Sequence, residues 1–150
     1  MSKITTIYNA ITTKLQTTLP TFQRIANPYT IDENTAILMK RAYGLAIGEG
    51  TNTARYVGCL TTWERSFTIG LVTQVVTTEN DATGRANIEK EILEAHKSLL
   101  TAFEVDPTLG AVCIKAVIES DGGINYIDGA RSKFLAVELT LRVEYQEQTA

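Results

Sequence analysis

The chain has 150 residues, 44% of them hydrophobic and 21% charged, a balance that supports one packed domain and excludes wholesale disorder. Its formal net charge of −3 argues against a general binder of nucleic acid or of an anionic membrane, since both want clustered positive charge. No apolar run reaches the roughly 20 residues of a membrane-spanning helix, and threonine and lysine interrupt Ile4, Ile7 and Ile11, so no signal peptide is read there.

The first predicted element is an amphipathic helix, about Ser2 to Leu19. Ile4, Ile7, Tyr8, Ile11, Leu15 and Leu19 follow the three-and-four spacing of one helical face. Its many threonines are mediocre helix formers, so tertiary packing must hold it, and Pro20 stops it. A short apolar piece from Phe22 to Ile25 precedes a turn at Asn27-Pro28. Ala36 to Ile47 is apolar with mixed period, and Tyr43 to Ile47 reads as a strand. Gly48 to Thr53 reads as a flexible polar connection. A long extended region runs from Tyr56 to Thr78, with Trp63, Phe67, Ile69, Leu71 and Val75 on one parity. Val72 and Val76 fall on the other face, which suggests that a neighbour covers it.

Glu79 to Gly84 is a break with helix caps in Asp81 or Thr83. The second helix runs to about Phe103, with Ile88, Ile92, Ala95, His96, Leu99 and Phe103 as its inner stripe, and Asp106-Pro107 forbids continuation. Val112, Ile114, Ala116 and Ile118 alternate as a strand. Asp121-Gly122-Gly123 reads as a hairpin-like turn, with Ile124 to Asp128 pairing back before Gly129. The last strand is the clearest: Leu135, Val137, Leu139, Leu141, Val143 and Tyr145 share one face from Phe134 to Gln146. The predicted architecture is α+β, a mainly antiparallel or mixed sheet with both helices packed on one face.

Searches for chemistry end in packing. Gly48-Glu49-Gly50 lacks the third glycine and the helix start of a dinucleotide loop. His96, the sole histidine, sits on an apolar stripe with no co-ligands and reads as a core-edge residue. Asp121 and Asp128 lack the ligand spacing of a calcium loop and read as solvated charges at a hairpin tip. Trp63, Phe67, Tyr126, Phe134 and Tyr145 are interleaved with Glu64, Glu138 and Glu144, so they do not make a nucleic-acid stacking platform. Cys59 and Cys113 are distant in sequence and outside any paired motif, and read as buried thiols rather than a disulfide. The residues therefore describe a structural or interaction protein with no catalytic, cofactor or metal residues.

The order of elements carries a resemblance. An N-terminal amphipathic helix ends in Leu19-Pro20-Thr21-Phe22, and a long Trp- and Val-bearing strand follows. One central helix then ends in Leu99-Leu100 and Phe103, and the alternating strand Leu135 to Tyr145 closes the chain. This layout resembles the tail terminator family of long-tailed bacteriophages, typified by the minor tail protein U of phage lambda. The resemblance implies a virion subunit of the tail and neck, assembled in the host cytoplasm as a homohexameric ring. Such a ring caps the head-proximal end of the tail tube, stops its polymerisation and offers a surface to the head-completion protein. DNA passes through its lumen without specific binding, which net negative charge suits.

The expected interface residues are Glu49, Asn52 and Arg55 in the loop Gly48 to Arg55, with Asp121, Asn125, Tyr126, Asp128, Arg131 and Lys133 in the hairpin Ser120 to Lys133. Other readings stay open at this point: a head–tail connector ring, a tube subunit, a cysteine-dependent enzyme, or a ligand-binding module.

Overall fold

A computed structural model describes residues 2–24, 41–56, 60–75, 82–128 and 133–148, and among these residues there are two helices and five strands. They are α1 (Lys3–Thr18), β1 (Gln23–Arg24), β2 (Arg41–Tyr56), β3 (Leu60–Val75), α2 (Ala82–Val105), β4 (Lys115–Asp128) and β5 (Lys133–Gln148). The expected turn at Asn27-Pro28, the start of the Ala36 run, Cys59, Asp81, Gly129 and Arg131 lie outside the described residues.

Helix α1 begins because Ser2, in extended conformation, accepts the Thr5 amide at 3.3 Å on its hydroxyl. It ends with the Leu19 amide on the Leu15 carbonyl, just before Pro20. Its face of Ile7, Ile11 and Leu15 is fully buried. Helix α2 reaches Val105, two residues past the expected end, and Thr83 is a helical residue rather than a cap. Ile92, Leu99 and Phe103 of α2 enter the same core cluster as α1 and the sheet. Arg41 at the start of β2 is ion-paired with Glu91 of α2. At the far end of α2, Lys14 reaches from α1 to Asp106 at 3.2 Å and to the Ala102 carbonyl at 3.0 Å.

The sheet order is β1-β2-β3-β5-β4, antiparallel except for the short β1–β2 pair. The architecture is α+β, with both helices on one face. β3 and β5 form an unbroken ladder from Leu60↔Gln148 to Val75↔Lys133. Every inward residue of β5 from Leu135 to Tyr145 is buried, as the alternation requires.

The flanking strands correct two sequence readings. Gly48 to Thr53 is not a connection: it lies inside β2, which shifts register between Ile47 and Gly50 and again between Asn52 and Ala54. Asp121-Gly122-Gly123 is not a hairpin tip either. It lies inside β4, between a shift at Ile118/Ser120 and another at Asp121/Ile124, and the strand stays on β5 throughout. Glycine and acidic residues serve bulges as they serve turns. In β4 the Asp121 carboxylate accepts the Gly123 amide at 2.9 Å, and Gly123 takes a φ of 75°, so the extra residue is absorbed in place. Each strand carries two bulges, so its inward parity flips once and is then restored. Ile118 and Ile124 both face the core side; between them Asp121 points inward as well, opposite Leu139.

Three smaller readings also change. Val112 and Ile114 precede β4 instead of belonging to it. Cys113 lies in that same turn segment, not in a strand. Val72, on the face read as covered by a neighbour, is buried within this chain in a second cluster with Phe134 and Ala136.

Candidate subunit interface

The expected interface residues fall into two groups that the sheet order keeps apart. Glu49 and Asn52 lie on β2, Glu49 exposed at the first bulge and Asn52 opposite Trp63, while the Arg55 backbone pairs with Thr61. Asp121 and Asn125 are exposed on β4, opposite Leu139 and Ala136. The backbones of Tyr126 and Asp128 pair with Leu135 and Lys133. Strand β3 separates the groups, and β5, beyond it, carries Lys133 of the second group. Arg55 sits near the Leu60/Gln148 end of the central ladder, and Asp128 and Lys133 near the Val75 end. Each group runs from near the middle of the ladder, Glu49 beside Arg65 to Phe67 and Asp121 opposite Leu139, toward a different end, so they lie on either side of β3 and form no single projecting surface.

Asp121 also approaches helix α2: its carboxylate lies 3.9 Å from Nδ1 of His96, whose side chain is mostly buried. His96 is thus a core-edge residue, on the stripe of Ile92 and Leu99.

A polar cluster that the sequence reading did not single out occupies the face of the sheet opposite the helices. Arg142 of β5 donates to Glu119 at 3.0 Å and to Glu64 at 3.2 Å, spanning three strands. The hydrogen bond to Glu119, followed by its charge and then the bond to Glu64, raises the Arg142 pKa. These side chains, with Lys115, Val117 and Glu144, line a cavity of about 240 Å3. The outward parity of Glu64, Arg142 and Glu144 was readable from alternation. Their meeting was not, because it depends on the β3–β5–β4 register.

On the helix-covered face, Arg65 lies across β2. Its Nε donates to the Tyr145 hydroxyl at 3.3 Å and its Nη1 to the Gly48 carbonyl at 3.1 Å. Gly50 leaves the space: a Cβ there would stand 2.6 Å from the guanidinium. Beside it Ile47 is 54% exposed, beyond the cover of the helices.

Cys113 is half-buried, and burial above all pushes its thiol pKa up to about 11. At neutral pH it is a protonated, weakly nucleophilic thiol. Among the described residues, no group of three or more His, Cys, Asp or Glu side chains is placed to hold a metal ion. No described helix is long and apolar enough to cross a membrane. No family model matches the chain, and no curated protein matches it.

Proposed function

We propose that this chain is a structural virion protein, a tail terminator whose ring caps the head-proximal end of a phage tail tube and receives the head-completion protein. One observation supports the reading beyond the resemblance: the two expected contact groups lie on opposite sides of strand β3. Two different surfaces on opposite sides of a subunit are what a head-to-tail contact needs, and such contacts close into rings when the rotation allows. The residues that carry the resemblance also do matching structural work. Leu19 and Phe22 close α1 onto the core, Leu99 and Phe103 pin α2, and Leu135 to Tyr145 supply the inward face of β5. The elevated thiol pKa of Cys113 weighs against a catalytic role for that cysteine.

Native mass spectrometry over a concentration series, followed by negative-stain imaging, tests the reading. A closed six-fold ring with a central hole, alone or on added tail tubes, is the expected result. Open-ended tubes of the pure chain point instead to a tube subunit. A monomer that neither self-associates nor binds tube ends removes the terminator reading.

A further inference from the structure

The sheet carries two small patches, one on each face, whose chemistry is opposite and whose spacing matches. On the helix side, Arg65 is partly buried and hydrogen-bonded to neutral oxygens, and it pairs with no carboxylate among the described residues. Ile47 opposes Phe67, and Arg65 lies two residues before Phe67, so Ile47 and Arg65 are diagonal neighbours on adjacent strands. A partly buried guanidinium without a counter-charge, next to an exposed branched apolar side chain, favours a carboxylate beside an apolar contact.

The opposite face offers that pair. Glu64 and Glu119 are engaged by Arg142, whereas the Glu144 carboxylate, directly across from Lys115 of β4, makes no ion pair within 4 Å among the described residues. Val117, 40% exposed, opposes Arg142, and Glu144 lies two residues beyond Arg142 on β5. Val117 and Glu144 are therefore diagonal neighbours too. They line the cavity of about 240 Å3, a recess with room for a branched side chain such as Ile47. The five charges around that cavity, Glu64, Glu119 and Glu144 against Lys115 and Arg142, leave one negative charge, and one incoming arginine balances it.

We infer that copies of this chain associate by seating Ile47 and Arg65 of one copy on Val117 and Glu144 of the next. The contact joins one face of a sheet to the opposite face of its neighbour, so it is head-to-tail and leaves both patches at the ends of any open chain. It rests on the proposed function only for ring closure; the pairing itself stands on charge, exposure and register.

Sedimentation velocity across protein concentration, at low and high salt, tests it on the full chain. Glu144→Gln and Ile47→Ala are expected to weaken self-association at least tenfold while thermal unfolding stays near that of the parent. Arg65→Gln, which keeps an N–H for the Gly48 carbonyl, is expected to do the same. The double exchange Arg65→Glu with Glu144→Arg is expected to recover a large part of the loss. A second readout does not depend on the Arg65 variants folding: copies bearing Ile47→Cys are mixed with copies bearing Val117→Cys and oxidised, both in a Cys59→Ser/Cys113→Ser background. A covalent dimer containing one of each supports the pairing. Unchanged association in the single variants, dimers only of like with like, or a parent chain that never self-associates overturns it. Association that depends on Glu144 yet gives no closed ring keeps the pairing and removes the terminator reading. A ring indifferent to these residues does the reverse.

Discussion

Four threonines of α1 send their hydroxyls to the carbonyl one turn back: Thr6 to Ser2, Thr12 to Tyr8, Thr13 to Asn9 and Thr17 to Thr13, at 2.9–3.2 Å. These bonds satisfy the hydroxyls without adding helix propensity, so the helix is held by buried Ile7, Ile11 and Leu15. Elsewhere a hydroxyl is left over. Thr73 is 3% exposed and its Oγ1 has no partner among the described residues, so Thr73→Val is expected to raise stability by about 1 kcal/mol in urea unfolding. Gly48 has the opposite sensitivity. A Cβ there would stand 2.8 Å from the Ser66 carbonyl oxygen, which is backbone and does not swing aside. Gly48→Ala should therefore cost about 1–3 kcal/mol, more than Gly50→Ala, where the obstructing atoms end the flexible side chain of Arg65.

Asp106 gives a residue-scale pH dependence. The Gly110 amide first, and then Lys14, hold its carboxyl below the usual carboxylate range. A native pKa below the unfolded one means that its contribution is complete above the ordinary value near 4. It is then lost as the pH falls through the depressed value. Asp106→Asn should flatten that acid limb of stability measured by urea melts between about pH 5 and pH 2.

At the scale of elements, what was legible depended on whether a pattern closes within one segment. The alternation of β5 and the stripes of both helices are local, and each produced its buried face as read. The strand interruptions were not local. Gly48-Glu49-Gly50 and Asp121-Gly122-Gly123 use residues that suit a turn or a bulge equally, and only the partner strand decides between them. For the same reason Arg142 was readable as an outward residue of β5, while its two carboxylate partners were not. The inward face of β5 gives the element its energetic weight. Leu141→Ala, at a fully buried site, should lower the unfolding free energy by about 2–5 kcal/mol, while Glu138→Ala on the exposed outward face should change it by less than about 0.5.

For the whole molecule, the fold class was legible because two amphipathic helices and long alternating strands have few ways to bury their faces together. The placement of the expected contact residues on either side of β3 was not, since it follows from strand order. That order also sets the folding problem. The central ladder joins residues 60–75 to residues 133–148, with α2 and β4 between them in the chain. A long loop must close before the ladder rewards it, so refolding followed by stopped-flow fluorescence of Trp63 is expected on a timescale of roughly milliseconds to seconds.

The paired bulges have a geometric consequence. From Arg41 to Tyr56 the chain spends sixteen residues alongside the fourteen from Leu60 to Thr73. From Lys115 to Asp128 it spends fourteen alongside the twelve from Lys133 to Glu144. At about 3.3 Å per residue, each margin of the sheet carries roughly 7 Å more contour than the seam to which it is stitched. A ribbon with long hems on a short midline cannot lie flat; it buckles at the places where the surplus enters. The local bends at these bulges are thus written in covalent length and not in any one contact. They are fixed before a neighbour arrives, and removing a single surplus residue, such as Glu119, changes the angle at which two copies can meet.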